Sequence, residues 1–285
     1  MKFDERMVRH ACSSLESRYP SKDCLFYRFG LAIEILRVLV DNEWVNQVIF
    51  PNDHPIKSKA TEKAMTFLRS KGIGYQFQER VYRLATRLYQ LKDVPNISQV
   101  IENIKNGDLE GAYAEIEAGR HLHSRNIPFI YVLPRGTKGL DFDIEITSPV
   151  RINCEVKHKI EGTALSKETL ERTLSDAKSQ VPENEPSLLF IKIPEEWIRS
   201  PEISGTIERT LGTFFPRSIN VIGIMFRWEE RGGGQGVFLW KYRFEENPHF
   251  ADTPEISEII DKLVGGPVHQ DILDDLARGN IRACQ

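Results

Sequence analysis

The chain has 285 residues, of which 40% are hydrophobic and 28% charged, with a net charge of −3 at neutral pH. These values exclude a disordered or collagen-like chain and leave room for one large or two ordinary domains with a real core. They also exclude a protein that is basic overall, so a nucleic-acid partner has to be met by a local basic patch.

The opening MKFDERMVRH is charged and has no apolar run, so no signal peptide is expected. The most apolar stretch, 31–40, is broken by Glu34 and Arg37 and is unsuited to a bilayer. Cysteines stand at 12, 24, 154 and 284 with no C-x-x-C pair. That pattern predicts reduced thiols, a cytoplasmic setting and no zinc knuckle.

The first part of the chain reads as helices only. Amphipathic spacing predicts helices over 4–18, 57–70 and 76–91, and a central helix or helix pair over 26–50. Pro95-Asn96 breaks the pattern, and Ser98 is placed to cap a further helix over 99–106. Arg80, Arg83 and Arg87 share a face of the 76–91 helix at spacings of three and four. Such a row either tracks a phosphate backbone, or pairs with acids such as Glu79 and faces solvent.

The character changes near residue 108. A helix over 109–124 leads to a short apolar strand over 127–133. Two strands follow on either side of the Ser148-Pro149 turn, and then a helix over 166–180. The run SLLFIKI at 187–193 suits a strand buried on both faces. Strands over 221–228 and 237–244 flank RGGGQG, a hairpin turn. Helices over 255–264 and 271–278 close the chain. The expected organisation is an all-helical N-terminal domain, 1–107, and an α/β domain, 108–285, ordered α-β-β-β-α-β before its further strands.

Several chemistries lack their motifs. RGGGQG has no Gly-Lys-Ser/Thr ending and opens no helix, so it is not a phosphate loop. His121 and His123 stand two apart on a helix and do not form a His-x-x-x-His metal pair. No Gly-x-Ser-x-Gly elbow is present for a serine hydrolase.

What remains is GLDFDIEITSPVRINCEVKHKI, 139–160. Alternation puts Asp141, Asp143 and Glu145 on one strand face, opposite Phe142, Ile144 and Ile146. In the next strand Asn153, Glu155 and Lys157 alternate with Ile152, Cys154 and Val156. Paired strands of this kind gather carboxylates and one ammonium at one sheet end; a solvated hairpin with salt-bridged edges fits the same letters. In the preceding helix Glu115 falls in a small, apolar stripe with Ala112, Ala118, Gly119 and Leu122, where a carboxylate is costly unless paired or metal-linked. Glu117 is placed on another, solvated face.

In this order, Glu115 on the first helix, Asp141 opening the second strand, Glu155-Val156-Lys157 on the third and Ala177-Lys178-Ser179-Gln180 ending the next helix resemble the PD-(D/E)XK nuclease superfamily. The resemblance spans about 108–193; Leu140 stands where the superfamily often has Pro, and Asp143 competes with Asp141 as metal ligand. It implies a restriction-endonuclease-like α-β-β-β-α-β core with a mixed central sheet. It further implies a Mg2+- or Mn2+-dependent hydrolase of phosphodiesters in DNA, in a setting such as defence or a mobile element. Asp141, Glu155 and Glu115 would hold the metal, and Lys157 would assist the attacking water. The N-terminal domain would serve recognition, homo-oligomer formation or partner binding. A catalytically inactive module that keeps the fold to bind nucleic acid or protein is the alternative, and an interaction protein with an accidental pattern is a third reading.

Overall fold

The computed structural model describes residues 5–18, 25–51, 58–70, 74–134, 142–160, 162–231 and 238–266. The chain divides into two compact units, and the division falls between Arg120 and His121. It therefore lies inside a helix, later than the boundary expected near 107.

The first unit is helical: α1 (Glu5–Arg18), α2 (Leu25–Leu39), α3 (Asn42–Ile49), α4 (Lys59–Arg69), α5 (Tyr75–Leu91), α6 (Ile97–Lys105) and most of α7 (Leu109–His123). α2 is the core, with Tyr27, Leu31, Ile35 and Leu36 fully buried, and it packs against α1, α3 and α5. The apolar stretch 26–50 splits in two because Asp41 adopts extended backbone and caps α3, accepting from Trp44 N at 2.6 Å. Ser58 caps α4 in the same way. Ser98 does not cap α6: it lies inside that helix, which starts after Asn96 in left-handed backbone (φ 65°).

The second unit follows α7 with β1 (Phe129–Tyr131), β2 (Ile144–Ile146), β3 (Ile152–His158), α8 (Lys167–Lys178), β4 (Ser187–Lys192), α9 (Glu195–Arg199) and α10 (Ile203–Phe214). A 3-10 turn (Phe215–Arg217), β5 (Val221–Arg231), β6 (Phe238–Glu246) and α11 (Pro254–Val264) complete it. The six strands form one mixed sheet in chain order. β1–β2, β2–β3 and β5–β6 are antiparallel, while β3–β4 and β4–β5 are parallel, with α8 and then α9–α10 in the crossovers. Every residue of β4 is buried, as a central strand covered on both faces requires. Leu170, Leu174 and Ala177 of α8 and Ile207 and Leu211 of α10 pack with Leu189, Ile191, Ile224 and Phe226 on one face. On the other, the His121 ring stands edge-on to Tyr242, 4.9 Å between centroids. His121 Nε2 lies 3.0 Å from Leu263 O, and Arg125 donates to Leu263 O and Gly265 O, closing the C-terminal end of α11.

α9 and α10 were not expected from the sequence. Residues 232–236 of the turn and the 271–278 helix lie outside the described residues, although β5 and β6 pair as the hairpin predicts. No helix among the described residues is long and apolar enough to cross a membrane.

Candidate active site

The second unit brings four of the sequence-predicted residues together. In β3 the alternating set Asn153, Glu155 and Lys157 faces the side of the sheet covered by α8, because Glu155 pairs across the ladder with Leu189 of that apolar cluster. β2 runs beside it with Ile144 opposite Cys154, so Asp143, one step earlier, comes opposite Glu155. The backbone fixes Asp143 firmly: its N–H donates to Cys154 O and its carbonyl accepts from Val132 N. Its carboxylate Oδ2 accepts from Val156 N at 2.8 Å.

Glu155 is 1% exposed. Lys157 Nζ lies 2.5 Å from its Oε1, and the same ammonium donates to Gln180 Oε1 at 2.6 Å. Gln180 sits just past the end of α8, where its N–H donates to Ala177 O. The Glu155 carboxyl is also hydrogen-bonded to the Asp143 side chain. Burial, followed by the neighbouring Asp143 charge, pushes the Glu155 carboxyl up to about 9, against the opposing pull of Lys157. Lys159 stands on the same strand face; burial lowers its pKa, Arg172 and Lys157 add to that, and Asp176 opposes it. The alternation of β3 already placed Lys159 beside Lys157. This face is covered rather than solvated, with Asn153 and Glu155 fully buried. On the opposite face the Cys154 thiol is also fully buried, and burial raises its pKa well above the ordinary range.

Asp141 lies outside the described residues. Glu115 is half-buried on the part of α7 that belongs to the first unit. Its neighbour Glu117 departs from the expectation of a solvated acid: it is 1% exposed, paired to Arg87 and facing Arg120 Nε at 3.3 Å.

The arginine row is not an exposed stripe. Arg80, Arg83 and Arg87 are all buried. Arg80 donates to Phe67 O and Ser70 Oγ and lies over the Phe67 ring. Arg83 pairs with Glu79 at 2.7 Å, as the non-binding reading expected, and Arg87 pairs with Glu117. α5 carries these guanidinium groups inward against α4 and α7, so the phosphate-tracking face that their spacing allows is not presented.

No family model, no curated protein and no solved structure matches this chain. Among the described residues no group of three or more His, Cys, Asp or Glu side chains is placed to hold a metal ion. The donor set nevertheless suits a hard divalent cation: two carboxyl groups lie side by side, within hydrogen-bonding reach of each other.

Proposed function

We propose that the protein is a metal-dependent nuclease acting on phosphodiesters, most naturally those of DNA. In this reading the run α7-β1-β2-β3-α8-β4 is a restriction-endonuclease-like core of the PD-(D/E)XK type. The observation that carries the proposal is the meeting of Asp143, Glu155, Lys157 and Gln180 at one end of β2 and β3. A buried carboxylate beside a second carboxylate is expensive in a purely structural role, and an apolar pair would be cheaper. A bound divalent cation removes that expense.

Asp143 and Glu155 would hold Mg2+ or Mn2+, with Asp141 as the further ligand that the sequence pattern suggests. When bound, such an ion polarises a phosphoryl oxygen and lowers the pKa of an attached water. The chain's own contribution is positional. Val156 N–H holds the Asp143 carboxylate in place, and Gln180 holds the Lys157 ammonium. With Glu155 committed to a cation, Lys157 would be placed to donate to the phosphate oxygens, on which negative charge grows. No covalent intermediate on the protein is needed.

The test is cleavage of linear duplex, supercoiled and single-stranded DNA, and of RNA, with Mg2+ or Mn2+. Cleavage is expected to vanish in EDTA and to return with the metal, while Ca2+ supports binding with little cleavage. Undiminished cleavage in excess chelator would overturn the mechanism. Binding without cleavage under every metal would identify a non-catalytic binding module instead.

A further inference from the structure

The face of β3 that carries Glu155 and Lys157 continues past the end of the strand. Lys159 N donates to Lys192 O at 2.9 Å, the same ladder step that joins Asn153 N to Pro186 O. Lys159 therefore keeps the alternation and stands on the face of Lys157. Their Cα atoms are about 6.6 Å apart, two residues at about 3.3 Å each. α8 runs back along this face. Arg172 and Asp176 lie one helical turn apart, and Gln180, four residues further on, is the residue that holds Lys157. Lys157 thus stands at the level of Gln180, and Lys159 at that of Arg172 and Asp176.

The charges on this face do not balance. Lys157 is committed to Glu155 and Gln180. Lys159 is half-buried and Arg172 is exposed, and among the described residues the side chain of neither makes a hydrogen bond or an ion pair. Of the charges that act on Lys159, Arg172 repels more strongly than Asp176 attracts, and Lys157 repels as well. Three cations facing one such acid oppose one another in the folded chain, and an anion placed between Lys159 and Arg172 would turn that repulsion into attraction.

We propose that Lys159 and Arg172 together seat a phosphate of the substrate strand beside the one that Lys157 meets, a proposal that rests on the nuclease reading above. The step from Lys157 to Lys159 equals about two nucleotides of rise along one strand, at about 3.4 Å each. Arg172 offers a planar fork to the phosphate oxygens and Lys159 a point charge. The seat meets backbone alone and reads no base. It ties the chemistry at Lys157 to a neighbouring phosphate, and so to a polynucleotide rather than an isolated phosphodiester.

The experiment uses the full chain with Ca2+, which supports binding with little cleavage in the nuclease reading. Binding of a short fluorescent DNA duplex is followed by anisotropy across a salt series. The proteins compared are wild type, Lys159→Gln/Arg172→Gln, and the charge-preserving Lys159→Arg/Arg172→Lys. The Gln variant is expected to bind about tenfold more weakly, with a slope of log affinity against log salt shallower by about 0.9 for one lost phosphate contact. Its thermal midpoint without DNA should equal or exceed that of wild type, because two repelling charges are gone. The charge-preserving variant should bind as wild type does. Equal affinity and slope in wild type and the Gln variant would overturn the seat and leave the nuclease reading standing. So would a lower thermal midpoint in the Gln variant, which would make the two cations architectural, or weak binding by the charge-preserving variant. A wild type that binds no DNA at any salt would overturn the nuclease reading and the seat with it.

Discussion

Both units of the protein bury a glutamate, and they treat it differently. In the helical unit each oxygen of Glu117 faces a guanidinium, one from Arg87 and one from Arg120. In the sheet unit Glu155 shares one ammonium with Gln180 and has a second carboxyl group, Asp143, as its hydrogen-bonded neighbour. The first arrangement is complete as it stands and explains itself as architecture. The second is short of positive charge, which suits a site that receives a cation.

The largest effect that would sharpen this contrast is on catalysis. Lys157→Ala should lower the cleavage rate about 100- to 1,000-fold in Mg2+ while the thermal midpoint and DNA affinity stay near those of wild type. A variant that melts instead would make Lys157 as architectural as Arg87. For the other glutamate the expectation reverses. Arg87→Gln leaves Glu117 buried with Arg120 alone and should cost about 3 kcal/mol of stability in urea denaturation. Its cleavage rate, measured where the protein is folded, should not change; a variant of full stability would show that the Glu117 pair is dispensable.

The two glutamates also differ in pH response. Glu155 keeps its proton up to about 9 in the folded chain, against an ordinary value of 4.5. Between those values the folded state binds more protons than the unfolded, so stability falls as pH rises through the window. In EDTA the thermal midpoint should therefore drop from pH 5 to pH 9, and the drop should shrink in Glu155→Gln and on adding Mg2+. An equal drop in wild type and variant would locate the pH sensitivity elsewhere. The smallest effect belongs to Gln180. Removing its bond to Lys157 by Gln180→Leu should slow turnover about tenfold with KM unchanged. A change confined to KM would make Gln180 a substrate contact rather than a support for Lys157.

Much of the sheet unit was legible because its signals are local. SLLFIKI has no polar break until Lys192, and that lysine too is buried, so the run reads as the central strand it is. The two-residue period of 152–158 placed Glu155 and Lys157 on one face before any partner strand was known. The choice between Asp141 and Asp143 was not legible from alternation, since both share a parity. It is the pairing with β3 that brings Asp143 opposite Glu155. α10 carries a weak signal, Ile203, Ile207 and Leu211 at four-residue spacing, between two β-rich runs. The helical unit hid more. Spacing states that Arg80, Arg83 and Arg87 share a face, but only the packing of α4 and α7 decides whether that face meets water. Glu115 and Glu117 flank Ile116 in a helix with small residues on several sides, and the inward one is settled by Arg87, distant in sequence.

Cys154 lies directly behind this cluster, on the strand that carries Glu155 but on the other side of the sheet. Its thiol is sealed from solvent and held in the unreactive protonated form, with Sγ directed at Ile152 O. Reagents that capture thiolates can reach it only when the sheet comes apart. The protein thus carries its own clock, because the labelling rate of Cys154 counts how often β3 is released. Any ligand that engages Glu155 slows that clock by tightening the same strand from the opposite face.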